Sequence, residues 1–260
     1  MQAYRGLPIL TAQPERPTRL VGIWPLSHEG SVGEYAELAH AAIDEVLAAG
    51  RTPVVAGGTG LYMRAALADL GLPPAPSGRQ RERWERIYAR VGPERAHELL
   101  DQRDPEAAAR VHVNDRRRVV RALELTELGA SLRPGADRLW SDEMRHPTIV
   151  FGLDLPGDVL ADRIEARTRK MLAAGVEEEV RRALAGEVSS TAIHALGLRE
   201  LDELQRDDAS EALVRRTRRY AAYQRKWMRR IPGVIPVDAA RSPDAVAEDV
   251  IRHVERHSAA

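Results

Sequence analysis

The 260-residue sequence has no cysteine, one phenylalanine and only two lysines, Lys170 and Lys226, among 39 basic residues. Without cysteine there is no disulfide framework, no thiolate metal site and no cysteine nucleophile. No apolar run approaches the length of a membrane span, and the opening Met1-Gln2-Ala3-Tyr4-Arg5 is not a secretion signal, so a cytoplasmic protein without membrane contact is expected. The 39 basic and 39 acidic residues cancel, which argues against binding of polyanions through overall charge. No Gly-x-Ser-x-Gly stretch supports a hydrolase. His253 and His257 are four residues apart, but the residues between them are not a zinc-protease pattern, so a solvated terminal helix is expected there. No fixed-period repeat or low-complexity tract occurs. What remains, 43% apolar and 30% charged residues, fits a globular chain long enough for a large domain with an insertion.

The charge is unevenly placed. Residues 215–230 hold Arg215, Arg216, Arg218, Arg219, Arg225, Lys226, Arg229 and Arg230 with no acid among them, and Arg116, Arg117, Arg118 and Arg121 crowd a second segment. A preference for arginine over lysine explains the residue type but not the clustering. Two basic segments in a neutral chain suit a protein that grips nucleic acid along one face. Guanidinium forks match phosphate oxygens, and with no neutralising acids nearby in sequence these arginines are expected to be free for phosphate or diphosphate. Tyr220, Tyr223 and Trp227 fall on another face of the same helix, where packing in the core is the expected role.

Along the chain, residues 1–30 read as irregular. Ser31 and Glu34 form a capping box for a helix that ends at Gly50. A strand at 53–56 and a helix at 61–70 follow. The proline-rich stretch Gly71 to Gly78 marks a junction, and residues from Arg81 to Gly129 read as helical until Pro134-Gly135. Asn114 is placed as the cap of the Arg116 helix, on which Arg117 and Arg121 are i,i+4 neighbours. Ile149 to Leu155 is a second core strand, Asp158 the cap of a long helix broken near Gly175, residues 209–230 a further helix, and Val234 to Val237 a last strand. Ser242-Pro243 opens a terminal helix. This gives an α/β core of residues 1–76 and 146–260 with a helical insertion at 77–145.

The run Val54-Val55-Ala56-Gly57-Gly58-Thr59-Gly60-Leu61-Tyr62 passes from an apolar segment through a glycine turn into a helix. Backbone N–H groups at such a helix start are free to hold an anion, though many strand–turn–helix units are purely structural.

The order Gly-Gly-Thr-Gly-Leu-Tyr after a strand resembles the signature of the tRNA dimethylallyltransferases. Met1-Gln2-Ala3-Tyr4-Arg5-Gly6 with Thr11-Ala12-Gln13-Pro14, Asp104-Pro105 through His112, Asn114-Asp115 with Arg116 to Arg121, and Thr217-Arg218-Arg219-Tyr220 through Gln224 and Trp227 resemble further family motifs in the same order, across roughly residues 1–238. The resemblance implies a P-loop NTPase-like, nucleotide-binding parallel-sheet core with an inserted helical domain. It implies transfer of a dimethylallyl group from dimethylallyl diphosphate to the exocyclic amine of the adenosine 3′ of the anticodon, with Mg²⁺ assisting. By the same resemblance Gln2, Thr59, Arg117, Arg118 and Arg121, and Arg81 through its spacing from Thr59, fall on positions that touch tRNA. Gly57, Gly58, Arg218 and Gln224 fall on the diphosphate side. The expected partners are the tRNA anticodon stem-loop and dimethylallyl diphosphate, the expected state a monomer.

The sequence also departs from the family. It shows no Gly-x-Thr-x-x-Gly-Lys-Ser/Thr loop, no metal ligand is identified, and the family's aspartate base would precede Met1. The basic pair before Gln224 is Ala222-Tyr223, and the family's Gly-Tyr-Arg reads Gly197-Leu198-Arg199. A start inside a longer reading frame and a true truncation, inactive or kept as an RNA binder, are both open. Either way the 260 residues are expected to show little turnover and unpaired sheet edges. An isopentenyltransferase of free adenine nucleotides is disfavoured by the arginine-bearing insertion.

Overall fold

A computed structural model describes residues 1–73, 78–132 and 139–258. Ser31 accepts a hydrogen bond from the Glu34 N–H and starts α1 (Val32–Ala48), and Gly50, at φ 67°, ends it in the left-handed conformation. The Glu34 carboxylate does not close the expected box; it binds His28 Nε2 at 2.9 Å.

The strand expected at 53–56 is absent, and Val54 is 89% exposed. A strand exists only through its ladder, and among the described residues no neighbouring segment takes up these N–H and C=O groups. Sheet structure is confined there to β1 (Phe151–Asp154) and β2 (Ile235–Asp238), a parallel pair in register Phe151↔Ile235 through Asp154↔Asp238. Leu153 on β1 is 61% exposed. The fold is α/β, dominated by helices.

After the glycine turn comes α2 (Gly60–Leu67), packed on α1. Then α3 (Gly78–Arg103) is broken at Gly92 (φ 81°), followed by the single turn α4 (Pro105–Ala108) and α5 (Arg116–Glu127). These three share a core of Trp84, Tyr88, Leu100, Val119 and Leu123. Asp115, not Asn114, caps α5, its carboxylate accepting from the Arg118 N–H at 3.1 Å. Of the expected breaks, Pro74 and Pro76 in the 71–78 junction and Pro134-Gly135 lie outside the described residues.

Beyond β1, α6 (Gly157–Ala173) begins after Pro156, so Asp158 sits in its first turn, not at the cap; there its charge still complements the helix N-terminus. Gly175 (φ 85°) separates α6 from α7 (Val176–Leu184) as expected. A 3₁₀ turn at Ala192–His194 leads to α8 (Leu198–Glu203) and α9 (Arg206–Met228), and α10 (Pro243–Ser258) closes the chain. Met171, Val176, Val180, Leu198 and Leu213 form a second core with Leu7 and Leu10. Buried Glu179 accepts from the N–H groups of Ile9 and Leu10 at 2.9 and 2.8 Å, tying the irregular N-terminal segment to α7. His253 is not simply solvated: its ring meets Phe151 edge-on, centroids 6.0 Å apart. No helix among the described residues is long and apolar enough to cross a membrane.

Candidate functional site

The glycine turn and α9 are clamped together. Gln224 donates its amide to the Gly58 carbonyl at 2.9 Å, and the Tyr220 hydroxyl lies 2.8 Å from the Thr59 hydroxyl. Trp227 packs directly on Gly60, where a Cβ would fall inside its ring, and Gly57 faces Met63. Tyr220, Gln224 and Trp227 are three and four residues apart, so helical spacing alone places them on one side of α9. The glycines admit that side chain set because nothing projects from them. Trp227 also contacts Trp140, with centroids 4.6 Å apart.

A different face of α9 carries Arg218, Ala221, Ala222, Arg225 and Arg229 toward α6. With Gly157, Leu160, Ala161 and Ile164 these line an open groove of about 460 Å³. Arg218 Nη2 lies 2.6 Å from Glu165, and Arg225 bonds the Leu155 carbonyl and reaches Asp154 at 3.5 Å. Arg216 pairs with Glu200 and Arg215 with Glu211. The expectation that the α9 arginines lack acidic neighbours is therefore wrong. The acids come from α6, β1, α8 and an earlier turn of α9, which a count over residues 215–230 does not see. Among the described residues Arg219, Lys226 and Arg229 have no side-chain partner.

The diphosphate candidates split. Gly58 and Gln224 bind each other, Gly57 adjoins them, and Arg218 projects about 120° around α9 from Gln224, into the α6 groove. The tRNA candidates divide too. Gln2 spends its amide on the carbonyls of Thr11 and Ala12 at 3.0 and 2.7 Å, holding its own loop. Arg81 and Arg121 both bind Glu124, a carboxylate with no exposed side-chain surface, at 3.1 and 3.2 Å. Arg118 makes a 3.5 Å pair with its own cap Asp115, and Arg117 is exposed with no ion pair among the described residues.

Arg117 nonetheless acts across the molecule. His194 lies at the surface; the desolvation it does suffer, then the charges of Arg117, Arg199 and Arg216, hold it below the usual histidine value. The Arg117 field also reaches Tyr62 beside the glycine turn, whose hydroxyl is pushed up chiefly by burial. The Arg117 charge is thus felt both at α2 and at the 3₁₀ turn. Arg199 belongs to the Gly197-Leu198-Arg199 motif, whereas His194 escapes motif reading because folding alone brings these charges near it.

Among the described residues no group of three or more His, Asp or Glu is placed to hold a metal ion, so no protein ligand for Mg²⁺ is assigned and no step is routed through it.

The comparisons agree with this architecture. The IPP transferase family model matches residues 2–231. A tRNA dimethylallyltransferase of Salinispora tropica is 39% identical over 256 residues, covering 93% of this chain and 79% of that protein. The full-length tRNA isopentenylpyrophosphate transferase of Bacillus halodurans superposes with a TM-score of 0.64 at 29% identity, covering 98% of this chain and 84% of that one. A eukaryotic dimethylallyltransferase described as acting on tRNA shares the fold, with a TM-score of 0.69 at 22% identity over 92% of this chain and 65% of its own. The glycine turn locked to an arginine-bearing helix, the arginine-bearing helices α3–α5 and above all the family match over most of the length lead to one conclusion: the chain belongs to the IPP transferase family, whose curated relatives are tRNA dimethylallyltransferases.

Proposed function

We propose that this chain serves prenyl transfer from dimethylallyl diphosphate to the exocyclic amine of the adenosine 3′ of the anticodon in tRNA. The observation that carries this is the clamp between the Gly57–Gly60 turn and α9, which sets Thr59 and Gln224 on one side of α9 and the arginine groove on another.

That groove suits a short apolar group attached to a diphosphate. Leu160, Ala161, Ile164, Ala221 and Ala222 supply an apolar lining, and Arg218, Arg225 and Arg229 stand over it. The pairs Arg218–Glu165 and Arg225–Asp154 are solvent-exposed, and such pairs are worth only about 0–1 kcal/mol. A diphosphate, which accepts bidentate bonds, displaces those carboxylates at little cost. Arg117 and Arg118 on α5 are the RNA-backbone contacts, and Thr59 stands where the target nucleoside enters.

Thr59, Tyr220 and Gln224 include no carboxylate. None of the three is therefore assigned as the base for the amine proton. The test measures binding of an anticodon stem-loop RNA at several salt concentrations, with prenylated adenosine and released pyrophosphate followed in parallel. Salt-dependent binding that Arg117→Ala weakens is expected. A chain that binds no anticodon stem-loop at low salt overturns the proposal.

A further inference from the structure

Neither the glycine clamp nor the α6 groove uses the outward side of α9. There Arg219, Tyr223 and Lys226 fall within about 60° of one another at 3.6 residues per turn, and Arg230 follows just past the helix end. Tyr223 is 50% exposed, and no hydrogen bond involves its hydroxyl among the described residues. Its ring meets Trp227 edge-on at 6.1 Å, Trp227 meets Trp140 at 4.6 Å, and the Arg230 guanidinium lies 3.6 Å from the Trp140 ring centre. Four planar groups from two distant parts of the chain thus form a continuous ladder. A cation closes one end and Tyr223 leaves the other open to solvent.

Arg219 and Lys226 stand four residues before and three after Tyr223, beside that open end, and neither has a partner among the described residues. An exposed aromatic face flanked by unpaired cations fits one chemistry well. A base stacks on the ring while its flanking phosphates meet the cations. The ladder itself is anchored: Trp227 is fixed on Gly60, and Trp140 lies in the segment whose Leu139 carbonyl is bound by buried Arg64 at 3.0 Å. A protein partner of acidic character would satisfy Arg219 and Lys226 but would leave the open tyrosine face unexplained.

We infer that the ladder Tyr223–Trp227–Trp140–Arg230, with Arg219 and Lys226 beside its open end, is a stacking site for an unpaired RNA base. It rests on the RNA-binding reading above and extends it from the backbone contacts of α5 to a base contact on α9.

The experiment titrates the full chain with a single-stranded hexanucleotide RNA and, separately, with inorganic polyphosphate, following tryptophan emission. Trp24 and Trp84 are buried, so quenching reports on Trp227 and Trp140. The expected result is quenching by the hexanucleotide but not by polyphosphate, with affinity about tenfold weaker in Tyr223→Ala and kept in Tyr223→Phe. The double change R219A with K226A should lower the salt slope by about two. Hexanucleotide affinity unmoved by Tyr223→Ala, or complete displacement of the RNA by an acidic peptide or by polyphosphate, overturns the stacking site. The two readings fail separately. Quenching that depends on Tyr223 without any stem-loop binding sinks the tRNA function and keeps the stack; stem-loop binding that depends on Arg117 without a Tyr223 effect does the reverse.

Discussion

The side-chain amide of Gln224 donates to the carbonyl oxygen of Gly58 across 166 residues of sequence, and this bond seats the glycine turn on α9. Two glycines of that turn should respond differently to a methyl group. At Gly58 the new Cβ meets the end of the Gln224 side chain, which can swing aside, so Gly58→Ala should cost about 1 kcal/mol, the worth of the lost bond. At Gly60 the Cβ meets the Trp227 indole itself, so Gly60→Ala should cost more, about 3 kcal/mol through overpacking. Urea unfolding measures both, and Trp227→Leu should recover part of the Gly60→Ala loss. Equal costs at the two positions would contradict the clamp geometry.

Arg64 is 1% exposed in α2 and directs its guanidinium to the Leu139 and Glu143 carbonyls and to Met144 Sδ. Burial is the first cause of its lowered pKa, with Asp142 acting in the opposite direction. Arg64→Met keeps the stem but leaves the carbonyls of half-buried Leu139 and exposed Glu143 without these donors. A loss of about 1–2 kcal/mol is expected, because water can reach at least one of the two acceptors and an unsatisfied buried polar group costs about 1–3 kcal/mol. Since the same segment carries Trp140, the variant should also change tryptophan emission. Emission identical to the unmodified chain would show that Arg64 does not hold the return segment.

Local signals carried much of the fold. Ser31, Gly50 and Gly175 act through bonds and dihedral angles within a few residues, and the helix boundaries they imply are found within about three residues. The strand at 53–56 failed because β structure depends on a partner, and the apolar run Val54-Val55 says nothing about whether one lies alongside. The α9 arginines misled for the same reason. Glu165 lies 53 residues from Arg218 and Asp154 lies 71 from Arg225, so their neutralisation exists only in three dimensions. The pairing of Gly58 with Gln224 joins two motifs that the resemblance had quoted separately. Trp140 belonged to none of them.

His194 gives a pH dependence whose sign follows from its surroundings. Desolvation, then Arg117, Arg199 and Arg216, disfavour its charged form in the folded state. As pH falls, the unfolded chain takes up the proton first, so this contribution to stability is complete above the ordinary histidine range and is lost as pH drops through it. Arg117→Ala removes one of the three charges and should move the His194 titration, followed by NMR of the ring, back toward the ordinary value. An unshifted titration in Arg117→Ala would mean that the Arg117 charge does not act on His194.

Glu124 separates the arginines of α3 and α5 into two kinds. Arg81 and Arg121 neutralise a carboxylate that is fully buried, whereas Arg117 and Arg118 project from the exposed side of α5. Glu124→Gln strands two guanidinium groups around a neutral amide, and about 3 kcal/mol of stability should be lost, the low end for a broken buried pair because Arg81 remains partly exposed. Arg81→Ala and Arg121→Ala should therefore lower the unfolding midpoint together with RNA affinity. Arg117→Ala and Arg118→Ala should leave stability within about 0.5 kcal/mol and reduce the salt slope of RNA binding by about one each. Thermal unfolding and RNA titration on the same four proteins decide the matter. Loss of RNA affinity in Arg81→Ala with an unchanged midpoint would place Arg81 on the RNA and not beneath it.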